Sequence, residues 1–265
     1  MGVEFPLTAK AGAIFGGKNV IAVRVDPRAN EGWWYEGGGI YRHARLITAD
    51  AVHFELVGGL YVKSKPTTPV TRHPTDLTIA PRADAALTVQ LELSTKPDAA
   101  DKLSVDLRVL NPQGKEVWAA QQVPLDGKVT SIKGSVADAE LWEPPGSSDV
   151  FAVLYTLEAR LTKGKEQLDD ATTTFGIRDV VMSPAQGVLI NGKHHKVQGV
   201  CNHQDFAGVG TAVPDALQDY RVSRLQQFGV NAWRMSHNPP NEALLDATDR
   251  HGFMVWDEVH TDLYC

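Results

Sequence analysis

The fold is decided by residues 230–258, which read VNAWRMSHNPPNEALLDATDRHGFMVWDE. Residues 230–235 predict a short strand, and the apolar residues 253–256 predict another. Between them, Asn241 is a suitable helix N-cap residue, and Gly252 stands just past the predicted helix, where a left-handed residue is common. This stretch therefore predicts a strand, a helix and a second strand joined by short loops.

The same alternation begins further upstream. Residues 196–200 predict a strand, and residues 188–193 (VLINGK) predict a hairpin with an Asn-Gly turn. Residues 214–228 predict an amphipathic helix, and its apolar side is expected to carry Leu217, Tyr220, Leu225 and Phe228. A β–α–β–α–β order with short connections favours a parallel α/β unit.

Seven strand candidates precede this unit. Leu87, Val89, Leu91 and Leu93 alternate with polar residues, which indicates a half-buried strand. Turn sequences such as NPQG at residues 111–114 separate the candidates. Together they predict an immunoglobulin-like β-sandwich. The candidates are residues 76–80, 86–93, 104–110, 116–122, 129–136, 153–160 and 171–176.

The N-terminal region also predicts strands, at residues 20–25, 41–46, 52–56 and 60–62. Four strands are too few to close a sandwich, so this region is interpreted as the end of a larger β domain. Residues 65–74 carry three prolines and are interpreted as a linker. The predicted division of this mainly β protein with an α/β part is residues 1–64, 65–182 and 183–265.

Composition argues against several function classes. The formal net charge is −6 and there is no basic stripe, so nucleic acid is not an expected partner. No apolar run reaches about 18 residues and no signal peptide is visible, so no membrane span is expected. Cys201 and Cys265 stand far apart and suggest neither a disulfide framework nor a zinc motif. A cytoplasmic location is therefore favoured.

Several motifs carry a family resemblance. Residues 199–203 (GVCNH), 231–240 (NAWRMSHNPP) and 251–258 (HGFMVWDE) together resemble the opening of the (β/α)8 catalytic barrel of glycoside hydrolase family 2, β-galactosidase type. Residues 38–42 (GGIYR) resemble the end of that family's jelly-roll sugar-binding domain. The resemblance implies a partial jelly roll, an immunoglobulin-like sandwich and the first βα units of an incomplete TIM barrel. Both ends of the chain are expected to be cut.

The resemblance also implies a site. TIM barrels place their chemistry at the C-terminal ends of the strands, and each predicted strand here ends in polar residues. Imidazole, guanidinium and carboxylate groups suit a polyhydroxylated sugar. By resemblance, His203 and His237 bind the sugar, and Arg234 orients the surrounding carboxylates. The alternative for Asp257 and Glu258 is a structural role, in which they pair with Arg234. The implied substrate-binding residues are Asn202, His203, Arg234, His237, Asp257 and Glu258.

The implied activity is retaining, exo-acting hydrolysis of terminal β-D-galactosides. The family uses two glutamates, an acid/base and a nucleophile, which later barrel strands supply. Asn241-Glu242 matches the family's Asn-Glu pair, but it opens a predicted helix and is interpreted as a cap. No catalytic residue is therefore assigned, and the chain alone is expected to be inactive. No cofactor is indicated with certainty, although the longer protein could hold a divalent or monovalent cation.

Two other function classes remain open. A non-catalytic module would use the β domains to bind carbohydrate or to act as a scaffold, without cleaving a glycosidic bond. A metal-dependent hydrolase would use imidazoles and a carboxylate as zinc ligands, although their spacing matches no known zinc motif. Its candidate ligands are His203, His237, Glu258 and His260. Sugar titration and a metal assay would separate these classes.

Some residues are expected to have structural roles. Cys201 is predicted to be a small buried side chain. The aromatic residues at 33–35 are expected to pack against a neighbouring domain. Apolar residues of the parallel strands, Trp233 and Trp256 among them, are expected to face an unfilled barrel interior. A homodimer through the incomplete barrel is therefore a further expectation.

Overall fold

The computed structural model describes residues 7, 12–26, 39–144, 152–236 and 239–258. The predicted aromatic cluster at residues 33–35 lies outside the described residues, as do His237 and His260. Within the described ranges, no helix is long and apolar enough to cross a membrane.

Two antiparallel sheets form the middle of the chain. Their strands are β1 (Leu60–Pro66), β2 (Arg82–Glu92), β3 (Leu103–Leu110), β4 (Glu116–Pro124), β5 (Val129–Glu140), β6 (Tyr155–Lys163) and β7 (Glu166–Phe175). One sheet has the order β1-β2-β5 and the other has the order β4-β3-β6-β7. Residues of both sheets share one apolar core, so the predicted sandwich is confirmed.

The sandwich core follows from alternation along the strands. Leu87, Val89 and Leu91 of β2 are at most 1% exposed, while the residues between them lie nearer the surface. Val105 and Leu157 of the opposite sheet belong to the same buried cluster. Burial of one such side chain contributes about 1.5–3 kcal/mol, so this repeated pattern is a main source of stability.

Tyr155 links the two sheets through a polar contact. Its hydroxyl oxygen, on β6, accepts a hydrogen bond from the backbone N–H of Glu140 on β5 at 2.9 Å. Its ring stacks on Phe175 with the centroids 5.8 Å apart. Burial raises the pKa of the Tyr155 hydroxyl, which keeps the group neutral at ordinary pH. A buried polar atom is thus satisfied inside an otherwise apolar core.

The structure corrects two predictions at the edge of the sandwich. Residues 76–80, predicted as a strand, form a turn in which the Asp76 carboxylate accepts bonds from the Thr78 amide (2.9 Å) and hydroxyl (2.6 Å). Such local side-chain bonds compete with strand pairing. The three-stranded sheet is completed instead by β1, which pairs with β2 along its whole length. The predicted linker therefore begins inside a strand.

Of the four strands predicted near the N-terminus, residues 60–62 are confirmed as the start of β1, and the other three predictions are wrong. Residues 20–25 and 41–46 carry no regular strand pairing, and Val20 is 81% exposed. In residues 52–56 one isolated bridge joins Phe54 to Leu93 of the sandwich. β-branched runs form strands only where a partner strand satisfies their backbone groups, and these segments have no such partner within the described residues.

The second half of the chain confirms the α/β prediction. An antiparallel sheet of β8 (Val180–Ser183), β9 (Gly187–Ile190) and β10 (Lys193–His195) comes first. It is followed by β11 (Gly199–Asn202), α1 (Asp215–Gln227), β12 (Ala232–Met235), α2 (Glu242–His251) and β13 (Met254–Trp256). The last three strands pair in parallel, in the order β11-β12-β13.

The buried face of α1 differs from the prediction. Tyr220 and Phe228, expected on the apolar side, are 50% and 85% exposed. The buried residues of the helix are Gln218, Arg221, Val222 and Gln226. The Gln226 side chain donates to the backbone oxygen of His251 at 3.0 Å, and its own oxygen lies 3.0 Å from the His251 Nδ1. These bonds to the end of α2 satisfy the buried amide of Gln226. The spacing of apolar residues in the sequence does not predict such a buried polar contact.

Asn191 joins the sandwich to the α/β unit. Its side chain accepts a bond from the Asp179 N–H at 2.9 Å and donates to the backbone oxygen of Trp142 at 3.0 Å. Its own carbonyl accepts from Arg72 at 2.9 Å, and Arg72 pairs with Glu143 through both terminal nitrogens. Asn191 is 4% exposed and has a φ of 50°, a region that asparagine tolerates better than most residues.

Replacing Asn191 by alanine should lower the free energy of unfolding by about 2–4 kcal/mol. The change removes the partner of the Trp142 carbonyl in a buried contact, at about 1–3 kcal/mol, and that of the partly buried Asp179 N–H, and it puts alanine at a positive φ. Urea denaturation followed by circular dichroism measures the loss. Asn111→Ala is the matched control, because the Asn111 side chain accepts bonds from Gln113 and Lys115 in an exposed turn. Equal losses in the two variants would contradict the role given to Asn191.

The sandwich should also be the last part to survive limited proteolysis. Lys18, Arg24 and Arg45 lie in segments without regular pairing, whereas β1 to β7 are paired and share one core. A trypsin time course analysed by mass spectrometry should show early cuts before Leu60 and a resistant fragment that contains all seven strands. Early cleavage at Arg108, inside β3, would show that the sandwich is not the stable unit.

Candidate active site

Three parallel strands end at one edge of their sheet. In the register, Cys201 stands opposite Arg234, and Arg234 stands opposite Trp256. The residues that follow the strands, including His203 and Glu258, are therefore brought to the same edge. The geometry confirms that the predicted strand ends meet.

The two faces of this sheet have different surroundings. Val200 stands opposite Trp233, and both pack in a cluster with residues of α1 and α2; Trp233 is 1% exposed. Side chains alternate along a strand, so Cys201 and Arg234 lie on the face away from the helices, as does Trp256, which is 69% exposed. The prediction that Trp233 faces the barrel interior is therefore wrong, because the helices cover that side of β12.

An ion pair crosses the ends of β12 and β13. The Arg234 Nε lies 2.6 Å from the Glu258 Oε1, with side-chain exposures of 42% for Arg234 and 18% for Glu258. A charge-assisted bond of this kind restricts the direction in which the carboxylate points. The contact matches the predicted pairing of Arg234 with a carboxylate at the end of the third strand.

Cys201 is exposed, which corrects the prediction of a buried side chain. It lies on the sheet face opposite the helices, and its sulfur accepts a bond from the Arg234 Nη1 at 3.5 Å. Hydrogen bonding by Arg234, and then by Ser236, lowers the pKa of the Cys201 thiol. Cys201 and Arg234 thus form one polar surface next to Glu258.

The remaining described candidates differ in burial. Asn202 and His203 are half-buried, while Asp257 is exposed. The backbone oxygen of His203 accepts a bond from Arg221 of α1 at 2.8 Å. Arg221 is 5% exposed, and its guanidinium lies 5.3 Å from the Trp233 ring centroid. Sequence reasoning missed this residue, because arginine on a helix usually indicates an exposed position.

Arg42, from far upstream, contacts the loops after β11 and β12. Its Nη2 donates to the Gln204 side-chain oxygen and to the Pro239 carbonyl, both at 2.8 Å, and its Nη1 donates to the Pro240 carbonyl at 3.2 Å. The Gln204 side-chain nitrogen also donates to the Pro239 carbonyl, at 2.7 Å. The motif around Arg42 is visible in the sequence, but nothing there indicates a contact nearly 200 residues away.

The Asn241-Glu242 pair begins a helix, as predicted. The Asn241 side chain caps α2 by accepting a bond from the Leu244 N–H at 2.9 Å. Glu242 accepts a bond from Arg45 at 2.8 Å. The partner of Glu242 is thus a neighbouring surface arginine, and its resemblance to a catalytic acid/base pair is coincidental.

A separate cleft of about 380 Å³ lies between the sandwich and the α/β unit. Its lining includes Arg72, His195 and Val230, and Val230 precedes β12, so the cleft lies at the N-terminal end of the parallel strands. Burial lowers the pKa of His195, which keeps its ring neutral. Because barrel chemistry takes place at the opposite end of the strands, this cleft is not the candidate active site.

Within the described ranges, no three His, Cys, Asp or Glu side chains are grouped closely enough to hold a metal ion. His203 and Glu258 are described, but the other two ligands of the metal hypothesis, His237 and His260, lie outside the described residues. That hypothesis stays untested.

Comparison with known proteins identifies the family of this chain and several relatives. Residues 71–178 match the family "Glycosyl hydrolases family 2", and residues 183–264 match "Glycosyl hydrolases family 2, TIM barrel domain". The chain is 32% identical over 244 residues to "Beta-galactosidase BoGH2A" of Bacteroides ovatus, covering 91% of this chain and 27% of that protein. It is 28% identical over 262 residues to a "Beta-glucuronidase" of Bacteroides fragilis, covering 92% and 34%.

Solved structures agree with the sequence matches. The chain is similar to a β-glycosidase from Bacteroides vulgatus with a TM-score of 0.69 and 30% identity, covering 85% of this chain and 26% of the other. The chain thus spans about a quarter to a third of the length of these relatives. The two matched regions coincide with the sandwich and with the parallel α/β unit. The chain therefore belongs to glycosyl hydrolase family 2, with that family's sandwich domain followed by the start of its TIM barrel domain.

Proposed function

We propose that this chain supplies one side of the sugar pocket in a retaining, exo-acting β-glycosidase that acts on terminal β-D-galactosides. The observation that carries the proposal is the Arg234–Glu258 ion pair at the ends of two parallel strands. It gives the strand edge a carboxylate of restricted direction and a guanidinium, and the half-buried His203 follows the neighbouring strand β11. Paired polar groups of this kind are suited to binding hydroxyl groups at defined angles.

In this proposal the residues of the chain bind and orient the sugar. Asn202, His203 and His237 would donate to and accept from its hydroxyl groups, and Arg234 would keep the neighbouring carboxylate in place. Asp257, which precedes Glu258, would complete the strand edge. Retaining glycosidases cleave the bond with two carboxyl groups about 5–5.5 Å apart, and in this family later barrel strands would supply them.

The charge of the edge favours a galactoside over a glucuronide. At the ends of β12 and β13, two carboxylates, Asp257 and Glu258, stand against one guanidinium, Arg234, which is already paired. The other guanidinium near this edge, that of Arg42, is engaged by carbonyl oxygens of the neighbouring loops. A glucuronide carries a carboxylate of its own, and a like charge nearby disfavours its binding. A galactoside has a neutral hydroxymethyl group at the same carbon and avoids that repulsion.

The domain division belongs to the same proposal. Residues 1–64 would complete a jelly-roll sugar-binding domain, residues 65–182 the sandwich, and residues 183–265 the first part of the barrel. The pairing of β1 with β2 supports a sandwich that begins about five residues earlier than this division.

Arg234→Met should weaken the binding of methyl β-D-galactoside to this chain by about tenfold, which corresponds to about 1.4 kcal/mol. The change removes the partner of Glu258 and lets the carboxylate turn away from the pocket. Isothermal titration against the sugar measures the loss. Arg108→Met is the matched control, because Arg108 also pairs with a glutamate, Glu158, but on the surface of the sandwich. Tighter binding of glucuronate than of galactoside by the unmodified chain would refute the proposed specificity.

The chain alone should show no turnover of nitrophenyl β-D-galactoside above background. Proton transfer and the covalent step each contribute orders of magnitude in rate, and no residue of this chain is assigned to either. Release of nitrophenol by highly purified protein is the measurement. Turnover that persists in the double variant His203→Ala/His237→Ala would argue against the assigned site. Turnover that disappears with a chelator would favour the metal hypothesis.

A further inference from the structure

Residues 42–45 run along the edge at which the parallel strands end. The His43 Nε2 lies 3.0 Å from the Asp215 carboxylate at the start of α1, and Arg45 donates to Glu242 at the start of α2 at 2.8 Å. The helices of a βα unit begin near the C-terminal ends of its strands. This upstream segment is therefore held against the same edge as the candidate active site.

Arg42 makes the inner contacts of this segment. Pro239 and Pro240 have no backbone N–H, so their stretch of chain offers carbonyl acceptors and needs donors from elsewhere. Arg42 supplies two of these donors, at 2.8 Å to Pro239 and 3.2 Å to Pro240. Gln204 supplies a third, at 2.7 Å to Pro239, and accepts from Arg42 in turn. The three groups close a ring of hydrogen bonds.

This ring joins two loops that carry candidate sugar ligands. Gln204 follows His203 directly after β11, and Pro239 comes two residues after His237 on the chain that leaves β12. The backbone of His203 is already held by Arg221 from the helix side. The contacts of Arg42 therefore link Gln204 in the loop after β11 to Pro239 and Pro240 after β12.

Arginine suits this role better than lysine would. Its planar group directs two terminal nitrogens at three acceptors on two different loops, in directions set by the guanidinium plane. A lysine ammonium is one point charge on a flexible stem, and it would satisfy some of these acceptors at the expense of the others.

We propose that Arg42 is a positioning residue for the sugar pocket. It holds the loop after β11, which carries His203, against Pro239 and Pro240, which follow His237 in the sequence. The inference rests on the proposed function of these two histidines. It assigns a role in the barrel pocket to a residue outside the barrel.

The experiment follows the two histidine rings in the 265-residue chain labelled with ¹³C-histidine. Their ring C–H signals are assigned with His203→Gln and His237→Gln. Arg42→Lys should move both signals, leave the melting temperature unchanged and weaken methyl β-D-galactoside binding about tenfold. Gln204→Glu keeps an acceptor for Arg42 but removes the donor to Pro239, so it should move the same two signals. This second variant decides the matter if Arg42→Lys fails to fold.

Arg108→Lys is the matched control and should leave both signals in place, because Arg108 pairs with Glu158 on the surface of the sandwich. Unmoved histidine signals in Arg42→Lys, or moved signals with undiminished galactoside binding, would overturn the role of Arg42. A wild-type chain that takes up no galactoside would overturn the proposed function instead, and the histidine signals would still decide whether Arg42 sets the position of the loops.

Discussion

The in-register parallel pairing of β11, β12 and β13, with both helices on one face, is the constraint on which the candidate site depends. It buries Trp233 against the helices and thereby turns the next residue, Arg234, to the opposite face. The same alternation places Cys201 beside Arg234 and brings Glu258 within reach of it. A shift of one residue in this register would exchange the polar and apolar faces and remove the ion pair.

The chain is held together in two different ways. The sandwich depends on repeated apolar alternation, in which many small contributions add up and no single contact decides the fold. The strand ends instead depend on a few guanidinium groups that bond carbonyl oxygens. Arg221 reaches the backbone of His203 from a helix, and Arg42 reaches Pro239 and Pro240 from outside the barrel region. Precise placement of polar loops requires such directed contacts, because apolar packing is not directional.

Much of the fold was predictable from local pattern. The period-two strands of the sandwich, the cap at Asn241 and the parallel order of the last three strands follow from residue types and spacing. The predictions that failed concern residues whose structure depends on a partner distant in the sequence. Residues 20–25 are rich in β-branched side chains but have no neighbouring strand within the described part of the chain. Helix α1 buries Gln226 because the end of α2 bonds its side chain, and Cys201 lies on the face without helices. The location of the described candidates at the strand ends was predictable, whereas the supporting contacts of Arg42 and Arg221 were not, since no local pattern encodes them.

Asn191 shows how few amino acids one position can accept. Glycine would suit the positive φ but has no side chain to bond Asp179 and Trp142. Aspartate would accept from the Asp179 amide but has no donor for the Trp142 carbonyl, and it would add a negative charge beside Glu143. Asparagine alone meets the backbone and the hydrogen-bonding demands together. The contact between the sandwich and the α/β unit therefore depends on one residue type at this position, whatever apolar side chains surround it.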